Sequence, residues 1–395
     1  MTAPDHGSAE SGFAVVSGET ATHQLTNAGV SIWLDDLSRD RLTSGNLGKL
    51  IAEKDVAGIT TNPTIFAAAL ANSDAYSEQL LELAKAGVNV DNAVETITTT
   101  DVRNAADLFL GTYKNSGGID GRVSIEVDPR LSRDTAGTVA AARRLWKTID
   151  RPNVMIKIPA TVEGLPAIAT ALGDGISVNV TLIFSIERYR EVMNAYLSGL
   201  EAAKRKGLDL SKIQSVASFF ISRVDTEVDP LLDAAADPSA KNLKGVTAIA
   251  NAVEAYDAYR DVFERDVTGR WAALAAAGAT PQRPLWASTG VKNPNYPDTM
   301  YVTELVAPGV VNTMPEATLN AVADHGQVRG DTVSGSVASA RNALRSIEAH
   351  GINMADVTQK LEDEGLAKFE DSWAQLLDTV HNGLAVAARD NAVSQ

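Results

Sequence analysis

The sequence predicts one (β/α)8 barrel, with an insertion after the sixth strand and additional C-terminal helices. Three observations lead there. Short Val- and Ile-rich runs alternate with longer helical stretches about eight times, which argues for a parallel sheet and, at that number, for a closed barrel. No G-x-G-x-x-G follows the first strand candidate, which weakens an open dinucleotide-binding sheet. Polar residues recur at the C-terminal ends of successive strands, where barrel enzymes place their chemistry.

The chain has 395 residues, 45% of them hydrophobic and 22% charged, a composition that suits a large packed core and argues against disorder. Length alone would also allow two domains. Asp and Glu number 50 against 35 Lys and Arg, for a net charge of -15. Such a surface disfavours nucleic acid and acidic membranes, but a few local cations can still hold a small anion. The absence of cysteine excludes disulfides, thiolate catalysis and Cys-ligated metals. The histidines His6, His23, His325, His350 and His381 show no ligand-like spacing, so no metal is expected. The first 27 residues lack the basic start and apolar run of a signal peptide. Residues 1–20 read as a flexible leader and residues 21–395 as one catalytic domain. No apolar run reaches the ~20 residues of a membrane span, and a cytoplasmic location is expected. Oligomeric state stays open, a homodimer included.

The elements follow in order. SIWLD (31–35) is the first strand and GITT (58–61) the second. RVSIEV (122–127) alternates cleanly as the third, and VMIKI (154–158) is the fourth. ISVNVT (176–181), SVASFF (215–220), PLWAS (284–288) and GVVNTM (309–314) complete the eight. Helical sequence fills most intervals, and an acidic stretch from Asp225 to about Ser239 reads as an irregular insertion. Beyond Pro315 the pattern is helical, and the tail is expected to pack across the barrel mouth.

Side chains alternate between the two faces of a strand. Val123, Ile125 and Val127 then face the helices while Ser124 and Glu126 face inward. The same rule points Val178, Val180 and Leu182 outward and Asn179 and Thr181 inward; Ser218 and Phe220 share a face. The inward polar set is Asp35, Glu126, Lys157, Asn179, Thr181 and Ser218. Burying an unpaired ammonium disfavours its charged form, and a neutral amine is a nucleophile. A lysine with two carboxylates fits amine catalysis on a carbonyl. Each residue also has a plainer reading. Lys157 could be a snorkelling edge lysine. Glu126 could pair with Arg122 or Arg130. One of Asp35 and Asp36 could cap a helix, and Asn62 before Pro63 could simply make a turn.

GITTNPTIF (58–66), RVSIEVDPRLS (122–132), VMIKIPATVEGLPAI (154–168), SVNVTLIFS (177–185) and SFFISRVD (218–225) together resemble the transaldolases, and WASTGVKNP (286–294) resembles their longer bacterial subfamily. The resemblance implies a Schiff base between Lys157 and a ketose phosphate. It implies Asp35 as the acid/base at the C4 hydroxyl, and Glu126 with Thr181 as holders of the catalytic water. It implies Asn62 and Asn179 as ligands of substrate hydroxyls, Ser218 and Arg223 in the substrate and phosphate site, and Phe220 in the pocket wall. The expected activity is transfer of a dihydroxyacetone unit between sugar phosphates of the pentose phosphate pathway, without a cofactor. Related fructose 6-phosphate aldolases tend to carry Gln and Tyr where this chain has Glu126 and Phe220. A non-catalytic phosphosugar-binding barrel is the other alternative. The chain departs from shorter family members after Ser288, where they carry a phosphate-binding arginine; Lys292 is assigned that role here.

Overall fold

The computed structural model describes residues 19–393. Eight parallel strands close into a barrel in chain order: β1 (Ser31–Leu34), β2 (Val56–Ile59), β3 (Arg122–Glu126), β4 (Val154–Pro159), β5 (Val178–Ile183), β6 (Ser215–Phe220), β7 (Arg283–Ala287) and β8 (Val311–Met314). Every strand expected from the sequence is present. β2 begins two residues before the predicted start, so Thr60 and Thr61 leave the barrel top as a loop. All six residues of β4 are buried. A parallel strand is covered on both faces, and the stiff branched side chains of Val and Ile pack well there.

Capped helix starts fix the connections at the C-terminal ends of the strands. Asn62 accepts a hydrogen bond from the Ile65 amide and Pro63 opens the helix Pro63–Ala71. Proline suits that first position because its missing N–H would have no partner anyway. Asp134 caps Thr135–Ile149, and Ser185 caps Ile186–Arg205, in the same way. Inside the barrel Trp33 is fully buried, and a Cβ on Gly58 would lie 2.6 Å from its indole. Glycine at 58 therefore makes room for the ring.

The N-terminal end is closed by a polar plug. Arg122 is buried and donates to the Gly118 carbonyl and, at 3.3 Å, to Ser177. Arg283 pairs with Asp120 at 3.0 Å and donates to Ser31, which in turn donates to Asp120 at 2.9 Å.

Two expectations change. The acidic stretch after β6 is not irregular: it lies in a helix, Ser222–Ala234, followed by a 3-10 turn, Pro238–Leu243. Asp225 and Asp229, four residues apart, both turn inward. Asp225 accepts from the Ala248 amide and the Tyr301 hydroxyl, and Asp229 from the Gly245 amide and the Tyr296 hydroxyl. These anchors hold a helix despite Pro230 within it. Leu182 leaves the alternation. Its φ of 60° coincides with a register shift between β5 and β6, and its side chain reaches Gly365 on the C-terminal helix. The proposed leader falls almost wholly outside the described residues; its last two, Glu19 and Thr20, precede the helix Ala21–Asn27, which Thr20 caps.

The chain ends in the helices Glu316–His325, Val337–Ala349 and Met354–Val393. The last has 40 residues. It buries Leu361, Leu366, Phe369, Leu376 and Val380, spaced five, three, seven and four apart, which makes one apolar stripe. Ser372 bonds Thr64 at 2.7 Å, which ties this helix to the top of the barrel. The tail thus packs across the mouth, as expected. Among the described residues no helix is long and apolar enough to cross a membrane.

Candidate active site

Register sets the centre of the site. Glu126 on β3 is the direct neighbour of Lys157 on β4, which is the direct neighbour of Asn179 on β5. Three inward polar side chains therefore stand side by side at the C-terminal end. Lys157 is 4% exposed. Its Nζ donates to the Thr61 carbonyl at 3.1 Å and lies 3.5 Å from a Glu126 carboxylate oxygen. The sequence reading assumed an ammonium without a partner; the structure gives it a carboxylate. Phe369 covers it, with Nζ 5.7 Å from the ring centre.

Glu126 is close enough for an ion pair, but neither oxygen makes a hydrogen bond. Burial pushes its carboxyl up to about 7, against the pull of Lys157. That value leaves it ready to give or take a proton near neutrality. The plainer readings of Glu126 fail here. Arg122 lies in the plug at the opposite end of β3, and Arg130 bridges Asp128 and Asp91 at the surface.

Asp35 follows β1 and turns into the site, where Thr60 donates to it at 2.8 Å and also bonds Thr313 at 3.0 Å. Burial raises the Asp35 carboxyl, while Lys157 and the Thr60 bond oppose that. Asp36 points away and pairs with Arg41, and Ser38 caps the next helix. Asn62 combines two roles: its oxygen caps the helix Pro63–Ala71, and its side chain lines the cavity around Lys157.

That cavity is small, about 80 Å3, and it gathers Asp35, Asn62, Lys157, Ser218, Phe220, Arg223 and Ser288. Ser288 has φ 57° and bonds Ser222 at 3.0 Å. A non-glycine residue in that region carries strain of ~1–3 kcal/mol, which collects at functional sites. Phe220 packs on Phe184 with ring centres 5.1 Å apart, and the Arg223 guanidinium lies 5.1 Å from the Phe220 ring.

The remaining predicted residues lie outside this cavity. Asn179 sits behind Ser218, accepting its hydroxyl at 2.7 Å and donating to Ser124 at 3.0 Å. Thr181 is buried beside Pro159 with a hydroxyl that has no partner. Lys292 lines a neighbouring cavity with Asp225, Asp229 and Tyr296. His325 is at the surface with Asp298 and Asp324. Sequence reasoning missed Thr60, Thr313 and Phe369, which also line the site. Thr313 obeys the alternation of β8 and was findable by it, whereas Thr60 lies in the loop just past β2. Phe369 carries no strand signal, because only the docking of the last helix brings it there.

A buried amine flanked by two carboxyls, at the C-terminal mouth of a parallel barrel, defines an enzyme that works on a carbonyl through a lysine. Sequence similarity narrows the class. The chain belongs to the transaldolase/fructose-6-phosphate aldolase family, whose model matches residues 32–380. It is 63% identical over 362 residues to a transaldolase of Thermobifida fusca, covering 92% of this chain and 98% of that one. It is 61% identical over 361 residues to transaldolase 1 of Streptomyces avermitilis, covering 91% and 95%. It is 58% identical over 365 residues to a transaldolase of Mycolicibacterium smegmatis, covering 92% and 98%.

Proposed function

We propose that this chain transfers a dihydroxyacetone unit from sedoheptulose 7-phosphate or fructose 6-phosphate to glyceraldehyde 3-phosphate or erythrose 4-phosphate. The observation that carries the reading is Lys157 Nζ, 3.5 Å from Glu126, in a small cavity that also holds Asp35.

Lys157 attacks the C2 carbonyl of the ketose and forms a carbinolamine. Glu126, with Thr181 and a water between them, delivers the proton that lets the C2 oxygen leave as water. The protonated imine then draws electrons from the C3–C4 bond. Asp35 takes the C4 hydroxyl proton, the bond breaks, and an aldose phosphate departs. A three-carbon enamine stays on Lys157 and attacks the acceptor aldehyde; Asp35 returns the proton and hydrolysis of the new imine frees the ketose. Asn62, Asn179, Ser218 and Phe220 hold the sugar, and Arg223, Ser288 and Lys292 serve its phosphate. Phe369 shields the enamine from water, which would otherwise release it. No cofactor is needed. A soluble cytoplasmic enzyme of the pentose phosphate pathway is part of the same reading.

The test is to supply fructose 6-phosphate with and without erythrose 4-phosphate and to measure sedoheptulose 7-phosphate and free dihydroxyacetone. Transfer that depends on acceptor supports the reading. Release of dihydroxyacetone that acceptor does not suppress favours the aldolase instead.

A further inference from the structure

The transfer reading needs a docking point for phosphate, and this chain lacks the arginine that shorter family members carry after the seventh strand. Another element, the helix Met354–Val393, lies against Arg223 at Gly365 and carries a lysine three residues further on. We propose that Lys368, on the helix Met354–Val393, joins Arg223 and Lys292 in binding the substrate phosphate, so that the phosphate itself fastens this helix over the barrel mouth. The inference rests on the chain acting on phosphorylated sugars.

Geometry comes first. Phe369, the next residue, lines the reaction cavity. Gly365 lies against Arg223: a Cβ there would sit 3.3 Å from the guanidinium Nη1. Residues three apart share a helix flank, so Lys368 leaves the helix beside the stripe formed by Gly365 and Phe369. Its ammonium is held below the ordinary lysine range by burial first, then by Arg223 and Lys292. The turn that carries it is packed against Arg223 through Gly365.

Charge is the second observation. The chain carries a net charge of -15, yet among the described residues Arg223, Lys292 and Lys368 take part in no ion pair. Their neighbours do: Lys360 pairs with Glu227 at 2.6 Å and Arg188 with Glu362 at 3.6 Å. Like charges brought together repel, and a dianion bound between them removes that cost. The helix Ser222–Ala234, which carries Arg223 in its first turn, also starts without a side-chain cap. The Ser222 and Val224 N–H groups already bond the Ser288 and Ile221 carbonyls, so what this end offers an anion is chiefly its dipole.

Volume is the third. The cavity of about 80 Å3 is far below the ~300 Å3 of an ordinary ligand site. Phe369 is part of the wall of this cavity, so a sugar phosphate filling it presses on the turn that carries Lys368, and Lys368 gives the bound phosphate a hold on that turn.

The test uses inorganic phosphate, fructose 6-phosphate and unphosphorylated fructose on the full chain. In Lys368→Gln, KM for fructose 6-phosphate and Ki for phosphate should both rise about tenfold, the worth of one charged hydrogen bond. Turnover of fructose should not change. Lys368→Arg should restore affinity, and Lys360→Gln on the same helix should leave it intact. Phosphate should slow hydrogen exchange over residues 361–373 in the parent chain and not in Lys368→Gln. Unchanged phosphate affinity in Lys368→Gln overturns the proposal, as does an equal loss with fructose and fructose 6-phosphate. If the parent chain transfers no dihydroxyacetone but binds phosphate through Lys368, the transfer reading fails and the site stands. Transfer with phosphate binding independent of Lys368 is the reverse result.

Discussion

The two ends of the barrel hold buried charge in opposite ways. At the N-terminal end Arg122, Arg283, Asp120 and Ser31 bond one another and nearby carbonyls. At the C-terminal end Lys157 and Glu126 stand 3.5 Å apart, and the oxygens of Glu126 and the hydroxyl of Thr181 lack partners. Both ends are buried, so both incur desolvation. A buried polar group left without a partner costs about 1–3 kcal/mol, and native proteins rarely keep one without use for it. The contrast separates a network that closes the barrel from a set of groups kept free to meet a substrate and a water.

That contrast can be broken by substitution. Glu126→Gln keeps the shape and removes the proton carrier. Imine formation in a single turnover should slow by about 10²–10⁴-fold, the usual scale of lost acid–base catalysis, with substrate affinity retained. Phe369→Ala opens the cover over Lys157. Transfer should fall by about tenfold to a hundredfold, as misplacement near a reacting group does. Free dihydroxyacetone should appear as water reaches the enamine. Arg122→Met at the other end should leave turnover per folded molecule unchanged. It should cost about 1–3 kcal/mol in denaturant unfolding for each buried acceptor it deserts. A loss of turnover in Arg122→Met equal to that in Glu126→Gln would erase the distinction between the ends.

The smallest effect is on stability against pH. Burial raises Glu126 from 4.5 to about 7. Between those values the folded chain holds a proton that the unfolded chain has released, so stability falls as pH rises through that window and is level above it. Glu126→Gln should flatten this slope in thermal unfolding measured from pH 4 to pH 8.

The barrel and its centre were legible because both follow from a period of two. Alternation put Glu126, Lys157 and Asn179 inward, and pairing of neighbouring strands lined them up. The same rule failed at Leu182, where a left-handed residue and a register shift turn the side chain toward the last helix. It also had no purchase on charged stretches that fold by tertiary anchoring. Asp225 and Asp229 read as an acidic loop because their partners, Tyr301 and Tyr296, lie more than 60 residues away. Phe369 was hidden for the same reason: its place depends on where a 40-residue helix docks. The proposed phosphate end was the least readable, since the cations assigned to it come from three separate elements and Lys292 lies outside the central cavity.

The central claim is that Lys157 is the nucleophile. Incubating the protein with fructose 6-phosphate and borohydride, then mapping the reduced adduct by peptide mass spectrometry, tests it most directly. The account predicts one three-carbon adduct, on Lys157, absent from Lys157→Ala. An adduct on another lysine, or one that persists in Lys157→Ala, would contradict it.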